Sequence, residues 1–341
     1  MDLRDATALN PQKSHYYAKV SADLKKRLTA AIPHDELRRL HVRSAPRHFL
    51  VLLRQLALMA VASWVLATRP EPWIWIPFAL VQGFCIFDFT VLLHEVVHEA
   101  VVERNRPWIT RLLGILYAFP SGISHLQFTR WHLDHHDNLG SPKDDPKRFH
   151  LSPKRNSRWY KLLYFTPALF FIYFRAARRE MAGYTPALGR RIARERNLTI
   201  LGHLAVVAGL WAWLGPAAMA RIYAVPYFLV FPVAFALNRV GQHYDIDPAD
   251  PARWSTLVKS SPFWNFAFLW SNLHLEHHYF PRVPFYNLRR LQALLKPFYD
   301  EMGMKPVGYA GLLYGWIVRN GAPHTDWHAA RRDPIRAARP S

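Results

Sequence analysis

The sequence predicts an all-α, multi-pass membrane protein: four transmembrane helices as two hairpins, plus a cytoplasmic helical cap that carries a histidine-rich site. Three observations lead there. Two pairs of apolar runs, each near the ~20 residues that a bilayer crossing requires, are joined by links too short for anything but a turn. Lys and Arg gather on one side of those runs. Three histidine clusters with helical spacing fall on that same side.

Composition sets the bounds. The chain has 341 residues, 51% hydrophobic and 14% aromatic, with a formal charge of +20. A single cysteine, Cys85, excludes an intramolecular disulfide and a thiolate zinc cage. Metal ligands, if present, must be nitrogen and oxygen.

In chain order, residues 1–48 are polar and basic and read as a cytoplasmic N-terminal amphipathic segment, with one helix from about Ala18 to Leu28 and another from Pro33 to His41. No cleavable signal peptide is visible, because a long charged segment precedes the first apolar run. Spans are expected at about 49–67 and 72–93, with Thr68–Glu71 as the turn between them. The region 94–197 is mostly polar. Its two apolar patches, Trp108–Phe119 and Tyr160–Phe174, are short and aromatic, which suits a place in the interface or over the site. The second hairpin is expected at 198–214 and 217–237, joined at Gly215-Pro216. A Pro- and Asp-rich loop, Asp245–Ala252, follows. Residues 49–319 thus form one membrane domain, and 320–341, rich in Arg, Pro and Ala, read as a flexible tail.

Of the 44 Lys and Arg, all but Arg54, Arg69 and Arg221 fall on the side that holds both termini, the 94–197 region and everything after 237. Cationic loops stay cytoplasmic, so that side is the inside. Topology and anionic lipid then account for the basic surface, and no nucleic-acid partner is needed.

The clusters are His94-Glu95-Val96-Val97-His98, His132-Leu133-Asp134-His135-His136 and His274-Leu275-Glu276-His277-His278. On a helix, positions i, i+3 and i+4 project from one face, so each cluster presents its imidazoles as a patch. Eight imidazoles exceed what one tetrahedral ion can use, and two ions are the economical count. Glu95, Asp134 and Glu276, inside the clusters, are expected to accept the distal N–H of a ligating imidazole and fix its tautomer. His125 matches no cluster and reads as a supporting hydrogen-bond partner. His203, within the third span, is either satisfied by a neighbouring carbonyl or beside a substrate path. Asp88, late in the second span, is either a functional acid on the substrate path or simply near the cytoplasmic surface.

Together the clusters resemble the three histidine boxes of the membrane-bound fatty acid desaturase and hydroxylase family, in order, spacing and placement over roughly residues 50–295. The run His277-His278-Tyr279-Phe280-Pro281, with Pro284 and Leu288, resembles the stretch after that family's third box. The resemblance implies a non-haem di-iron oxidoreductase that uses O2 and two electrons to remove hydrogen from an unactivated C–H of a long acyl chain, most often forming a C=C bond. It also implies a ninth ligand, His243, near the end of the fourth span. Asn238, one turn earlier, is a candidate to hold a metal-bound water, and Asp145, in Asp144-Asp145-Pro146, a candidate support for the ligands.

The family includes hydroxylases, carotenoid- and sphingolipid-modifying enzymes and a terminal-alkene-forming fatty acid decarboxylase, all with similar boxes. No His-Pro-Gly-Gly motif of a fused cytochrome b5 is present, so electrons are expected from a separate ferredoxin or cytochrome b5-type donor with its reductase. Three residues separate the histidines of the first box, which sets the chain apart from the acyl-CoA branch. Arg130, or the cations of Lys154–Arg158, are the candidates to hold a carboxylate, phosphate or CoA head group.

Two other classes compete. His94-Glu95-Val96-Val97-His98 satisfies H-E-x-x-H, the zinc protease pattern with Glu95 as general base, but that leaves six clustered histidines without a role. A metal transporter or haem protein would place its ligands at mid-bilayer, whereas these clusters flank the spans.

Overall fold

The computed structural model describes residues 4–8, 10–103, 106–141, 143–153, 155–244 and 246–321. Among them the protein is helical, and the only β pairing is an isolated bridge between Val258 and Val307. The expected tail lies almost wholly outside the described residues.

Three helical stretches are long and apolar enough to cross a membrane: Ala45–Thr68, Pro72–Val97 and Pro186–His243. The first, α1, starts at Ser44, whose side chain accepts the Arg47 N–H, with Pro46 in its first turn. The second, α2 (Pro72–Val97), packs along α1 and ends within the first histidine box. Outward-facing Leu50, Leu53, Trp64, Trp73 and Leu80 give these helices an exposed apolar surface, as a lipid-facing helix requires. This is a membrane protein.

The spans expected at 198–214 and 217–237 both fall inside the third stretch, 58 residues long. A straight helix of that length would reach about 87 Å, far beyond a bilayer. It is broken at Gly215, whose backbone (φ 80°, ψ 169°) only glycine adopts readily. His203 bonds to the Tyr223 hydroxyl at 2.7 Å, across a separation that would span about 30 Å along one helix.

Between α2 and this stretch lie α3 (Pro107–Ala118), α4 (His125–Asp137) and α5 (Ala168–Met181). The third stretch comprises α6 (Pro186–Met219), a π-helical turn region at Ala220–Val230, and α7 (Phe231–His243); α8 (His274–Tyr279) follows. Leu112, Leu116, Phe171 and Phe174 of α3 and α5 are exposed, which suits elements that lie in the interface.

The N-terminal segment folds as Tyr16–Val20 and Ala22–Ala30, divided at Ser21, and then His34–Leu40. Ahead of these helices and into the first of them, residues 10–17 form a strap over the second box. Ser14 bonds to Asp144, Lys13 to Glu180, His15 to Asp137, and Tyr16 stacks on Trp254.

Candidate metal centre

Helix ends carry the histidines. His94 lies in the last turn of α2 and His98 is its C-cap, followed by Glu99 in a left-handed conformation (φ 56°). His132, His135 and His136 lie on the second half of α4, and His243 is the last residue of α7. His274, His277 and His278 form α8, delivered by a tight turn in which Leu269 and Trp270 both have positive φ. Eight of these nine residues came from box spacing and the ninth, His243, from the family resemblance; the fold brings all nine together.

They form two adjoining groups. His94, His98, His132, His136 and His277 make one, and His135, His243, His274 and His278 the other; in each, the ring nitrogens lie within 4.8 Å of one another. His136 joins the two, its ring centroid 4.4 Å from that of His278.

The tautomers show what belongs between the rings. His135 Nδ1 meets Asp145 Oδ1 at 2.7 Å, and His243 Nδ1 meets the Trp254 carbonyl at 3.1 Å. Each oxygen is an acceptor, so each Nδ1 carries the proton and each Nε2 keeps a lone pair. Those two Nε2 atoms face each other at 3.2 Å, and His274 Nε2 lies 3.1 Å from His243 Nε2. Opposed lone pairs at that distance repel unless a cation lies among them. In the other group His98 and His132 approach Nε2 to Nε2 at 2.7 Å, His136 and His277 at 2.9 Å, and buried His94 Nε2 has no hydrogen-bond partner. An all-imidazole donor set of this kind suits a metal site.

Of the five supporting residues expected, Asp145 bonds to a box imidazole, that of His135. Burial raises its carboxyl pKa, and His243 and Arg148 oppose the rise. Glu95 lies beside its own box, with Oε1 3.5 Å from His94 Nδ1 and Oε2 accepting the Phe285 N–H at 3.0 Å. Asp134 and Glu276 do something else. Asp134 is paired with Arg130 and approached by Asn10, while Glu276 Oε1 accepts from Gln292 at 2.7 Å and Tyr299 at 2.8 Å. Neither carboxylate bonds to a box imidazole. Each follows a box histidine by two residues, about 200° around the helix, and so faces away. Burial pushes Glu276 up to about 7 despite those two bonds. Asn238 is held between Ser271 (2.8 Å) and Gln242 (2.6 Å).

A cavity of about 860 Å³, including its open mouth, reaches the histidines. His94, His132, His274 and His277 form part of its wall, and Phe87, Val91, Phe128 and Phe235 form much of the rest. Thr90, Phe128, Tyr173 and Phe235 also border a second apolar space lined by Leu169, Phe170, Phe174 and Phe231. The two spaces share these four wall residues, and both are mostly apolar.

The expected path residues line neither space. Asp88 faces α1 and bonds to Gln55. His203 is satisfied by Tyr223 and by the Phe119 carbonyl, each at 2.7 Å. Arg130 is buried, its guanidinium held by Asp134 and the Ala8 carbonyl, and is not available to a head group. Arg158 is bonded to the carbonyls of Ile317 and Val318, and Lys154 lies outside the described residues. His125 supports the fold, bonding to Thr129 at 3.3 Å and packing so closely on Gly114 that a Cβ there would lie 2.4 Å from its ring.

Lys147 and Arg239, which the sequence reading passed over, line the cavity instead. Arg239 lies one turn before His243 on α7, a spacing that marks it; Lys147 carries no sequence signal. Burial, with Arg239 near, draws the Lys147 ammonium down to about 7.

A helical membrane protein with two groups of converging imidazoles beside an apolar path belongs to the class of membrane-bound metalloenzymes. The family model described as fatty acid desaturase matches residues 70–310, and the chain belongs to that family. It is an oxidoreductase that modifies a lipid chain. The chain is 24% identical over 278 residues to the sphingolipid delta(4)-desaturase/C4-monooxygenase DES2 of Homo sapiens, covering 76% of this chain and 78% of that one. It is 24% identical over 274 residues to the sn-1 acyl-lipid omega-3 desaturase (ferredoxin) of Nostoc sp. (strain 36), covering 72% of each. It is 23% identical over 317 residues to the Delta(12)-fatty-acid desaturase of Arabidopsis thaliana, covering 81% of this chain and 79% of that one. Membership removes the protease reading, and Glu95, tied to the Phe285 N–H, is not placed as a free base.

Proposed function

We propose that the chain desaturates a long-chain fatty acyl substrate at a di-iron centre, using O2 and two electrons from a separate ferredoxin or cytochrome b5-type donor with its reductase. The observation that carries this reading is the pair of imidazole groups, five and four, opening onto an apolar path. Nine nitrogen ligands suit two irons and leave positions free for O2 or water. The bound irons would supply the oxidising power that side chains lack, for removal of hydrogen from an alkyl C–H.

The chain's own residues do the rest. Asp145 and the Trp254 carbonyl hold the proton on Nδ1 of His135 and His243 and so aim Nε2 inward. Phe87, Phe128 and Phe235 exclude water and confine the hydrocarbon, which fixes the carbon presented to the metals. Two hairpins turning at residues 68–71 and at Gly215 make four crossings, with both termini and the metals on the cytoplasmic side, where a soluble donor can reach them.

Metal analysis of the detergent-purified protein, together with gas chromatography of lipids and volatiles from cells that express it, tests the reading. About two irons per chain and a new unsaturated fatty acid are expected. A hydroxylated product or a volatile alkene with the same iron would keep the site and replace the reaction by hydroxylation or decarboxylation. A single zinc with unchanged lipids would refute it.

A further inference from the structure

Another cavity, of about 830 Å³ with its open mouth, lies between α3 and α6 and is lined by no box histidine. The two helices face it in one register. Arg111 and Ile115 line it from α3, in steps of four that lead to Phe119, just past the end of that helix. Arg194 and Leu198 line it from α6, in steps of four that lead to Gly202. Phe119 and Gly202 touch: a Cβ on the glycine would lie 2.6 Å from the ring, and the Phe119 carbonyl accepts from His203 Nε2 at 2.7 Å. Arg111 and Arg194 therefore stand at one level, each about 12 Å before that contact, with Ile115 and Leu198 in between. Arg191, one turn further out, brings a third guanidinium to the wall. The one carboxylate among the lining residues, Glu195, is already engaged, its Oε2 accepting from Ser124 Oγ at 2.7 Å and from the Leu126 N–H at 3.0 Å.

This order, cations first and hydrocarbon after, is that of a bilayer leaflet. Beyond Leu198, α6 exposes Ile200, Leu201, Leu204 and Trp211, and α3 exposes Leu112, Ile115 and Leu116, so the apolar end of the cleft faces lipid. Arg190, Arg191, Arg194 and Arg196 come directly before that stretch, where a membrane helix meets the headgroups. Guanidinium groups bond phosphate with two parallel N–H donors, and the phosphate at that depth is the phosphodiester of a lipid. A basic pocket between membrane helices at headgroup level is suited to an anionic lipid. A zwitterionic head would bring a cation of its own against the arginines.

We propose that Arg111, Arg191 and Arg194 hold the phosphate of one anionic glycerophospholipid in this cleft, with its acyl chains along Ile115 and Leu198. The lipid is distinct from the acyl substrate. It fastens α3 to α6 beside His125, which lines the same cavity and is the first residue of α4, the helix that carries the second box. The site depends on the membrane fold alone, so its failure would leave the acyl-chain reading untouched.

Native mass spectrometry of the metal-loaded full chain in detergent, titrated with phosphatidylglycerol and with phosphatidylcholine of the same acyl chains, tests this. One phosphatidylglycerol per chain is expected, bound at least about tenfold more tightly than phosphatidylcholine, the scale of a charged hydrogen bond. Arg111→Gln combined with Arg194→Gln should remove that preference. Arg190→Gln combined with Arg196→Gln, an equal loss of charge outside the cleft, should keep it, and metal content reports that both variants are folded. Glycerol phosphate should compete poorly, because it lacks the chains. Equal binding of the two lipids overturns the proposal. Equal loss in the two double variants would reduce the site to a general surface field, and full competition by glycerol phosphate would make it a site for free phosphate; either result overturns it as well.

Discussion

Asp145→Asn isolates the support of a ligand from the fold around it. Asp145 Oδ1 takes a hydrogen bond from His135 Nδ1 at 2.7 Å and from the N–H groups of Lys147 and Arg148 at 3.0 and 3.3 Å. The amide keeps the shape and one acceptor oxygen, so the two backbone donors stay satisfied, while the charge that makes His135 a stronger donor to metal is lost. Loss of such a supporting carboxylate lowers metal affinity or activity about 10- to 100-fold, or ~1.4–2.7 kcal/mol. Asp145→Ala removes the acceptor as well. Two buried N–H groups are then unpaired at about 1–3 kcal/mol each, and stability falls too. Metal retention against a graded chelator, beside thermal unfolding in detergent, separates the two effects. Unchanged metal retention in Asp145→Asn would refute the role assigned to that bond.

Other substitutions test other parts. His277→Ala should abolish activity and lower metal content, whereas His15→Ala, which removes only a contact of the strap to Asp137, should leave metal content intact. Asp134→Asn breaks the buried pair with Arg130, a loss of about 3–5 kcal/mol, and should lower the unfolding temperature; metal analysis of the folded fraction should be unchanged. Leu169→Trp should fill the second apolar space and shift the product profile to shorter chains, read by gas chromatography. Burial alone would raise the Glu180 carboxyl pKa, but His150 and Lys13 outweigh it and hold it below its ordinary 4.5. Its stabilisation is therefore full above that value and fades as pH falls through the lower folded one. Proteolysis of the N-terminal segment should accelerate in that acid window and not between pH 6 and 8.

The boxes were legible because helical geometry needs no knowledge of the fold: i, i+3 and i+4 share a face wherever the helix lies. The same arithmetic, applied to Asp134 and Glu276, turns them away from the rings, and they bond instead to Arg130 and to Gln292 and Tyr299. The residue that orients a ligand, Asp145, sits in a loop, and the family resemblance, not periodicity, singled it out. Apolar length marked the candidate membrane segments, and Gly215-Pro216 marked the break within the third. What sequence could not show is which side of α2 meets the cavity: Asp88 and Phe87 are neighbours, yet one bonds to α1 and the other lines the path. Lys147, Arg239 and the strap depend on contacts between elements more than 90 residues apart, for which one chain carries no local signal.

The strap bears on the order in which the protein is built. Lys13 and Ser14 leave the ribosome long before Asp144 and Glu180, the groups that anchor them, have been synthesised. During that interval two apolar helices must already enter the bilayer, so the strap waits in water, solvated by its own charge, and docks only when α5 is complete. Closure over the second box is thus a late event in biogenesis. A bulky fusion joined close ahead of residue 10 would burden that step more than the insertion that precedes it.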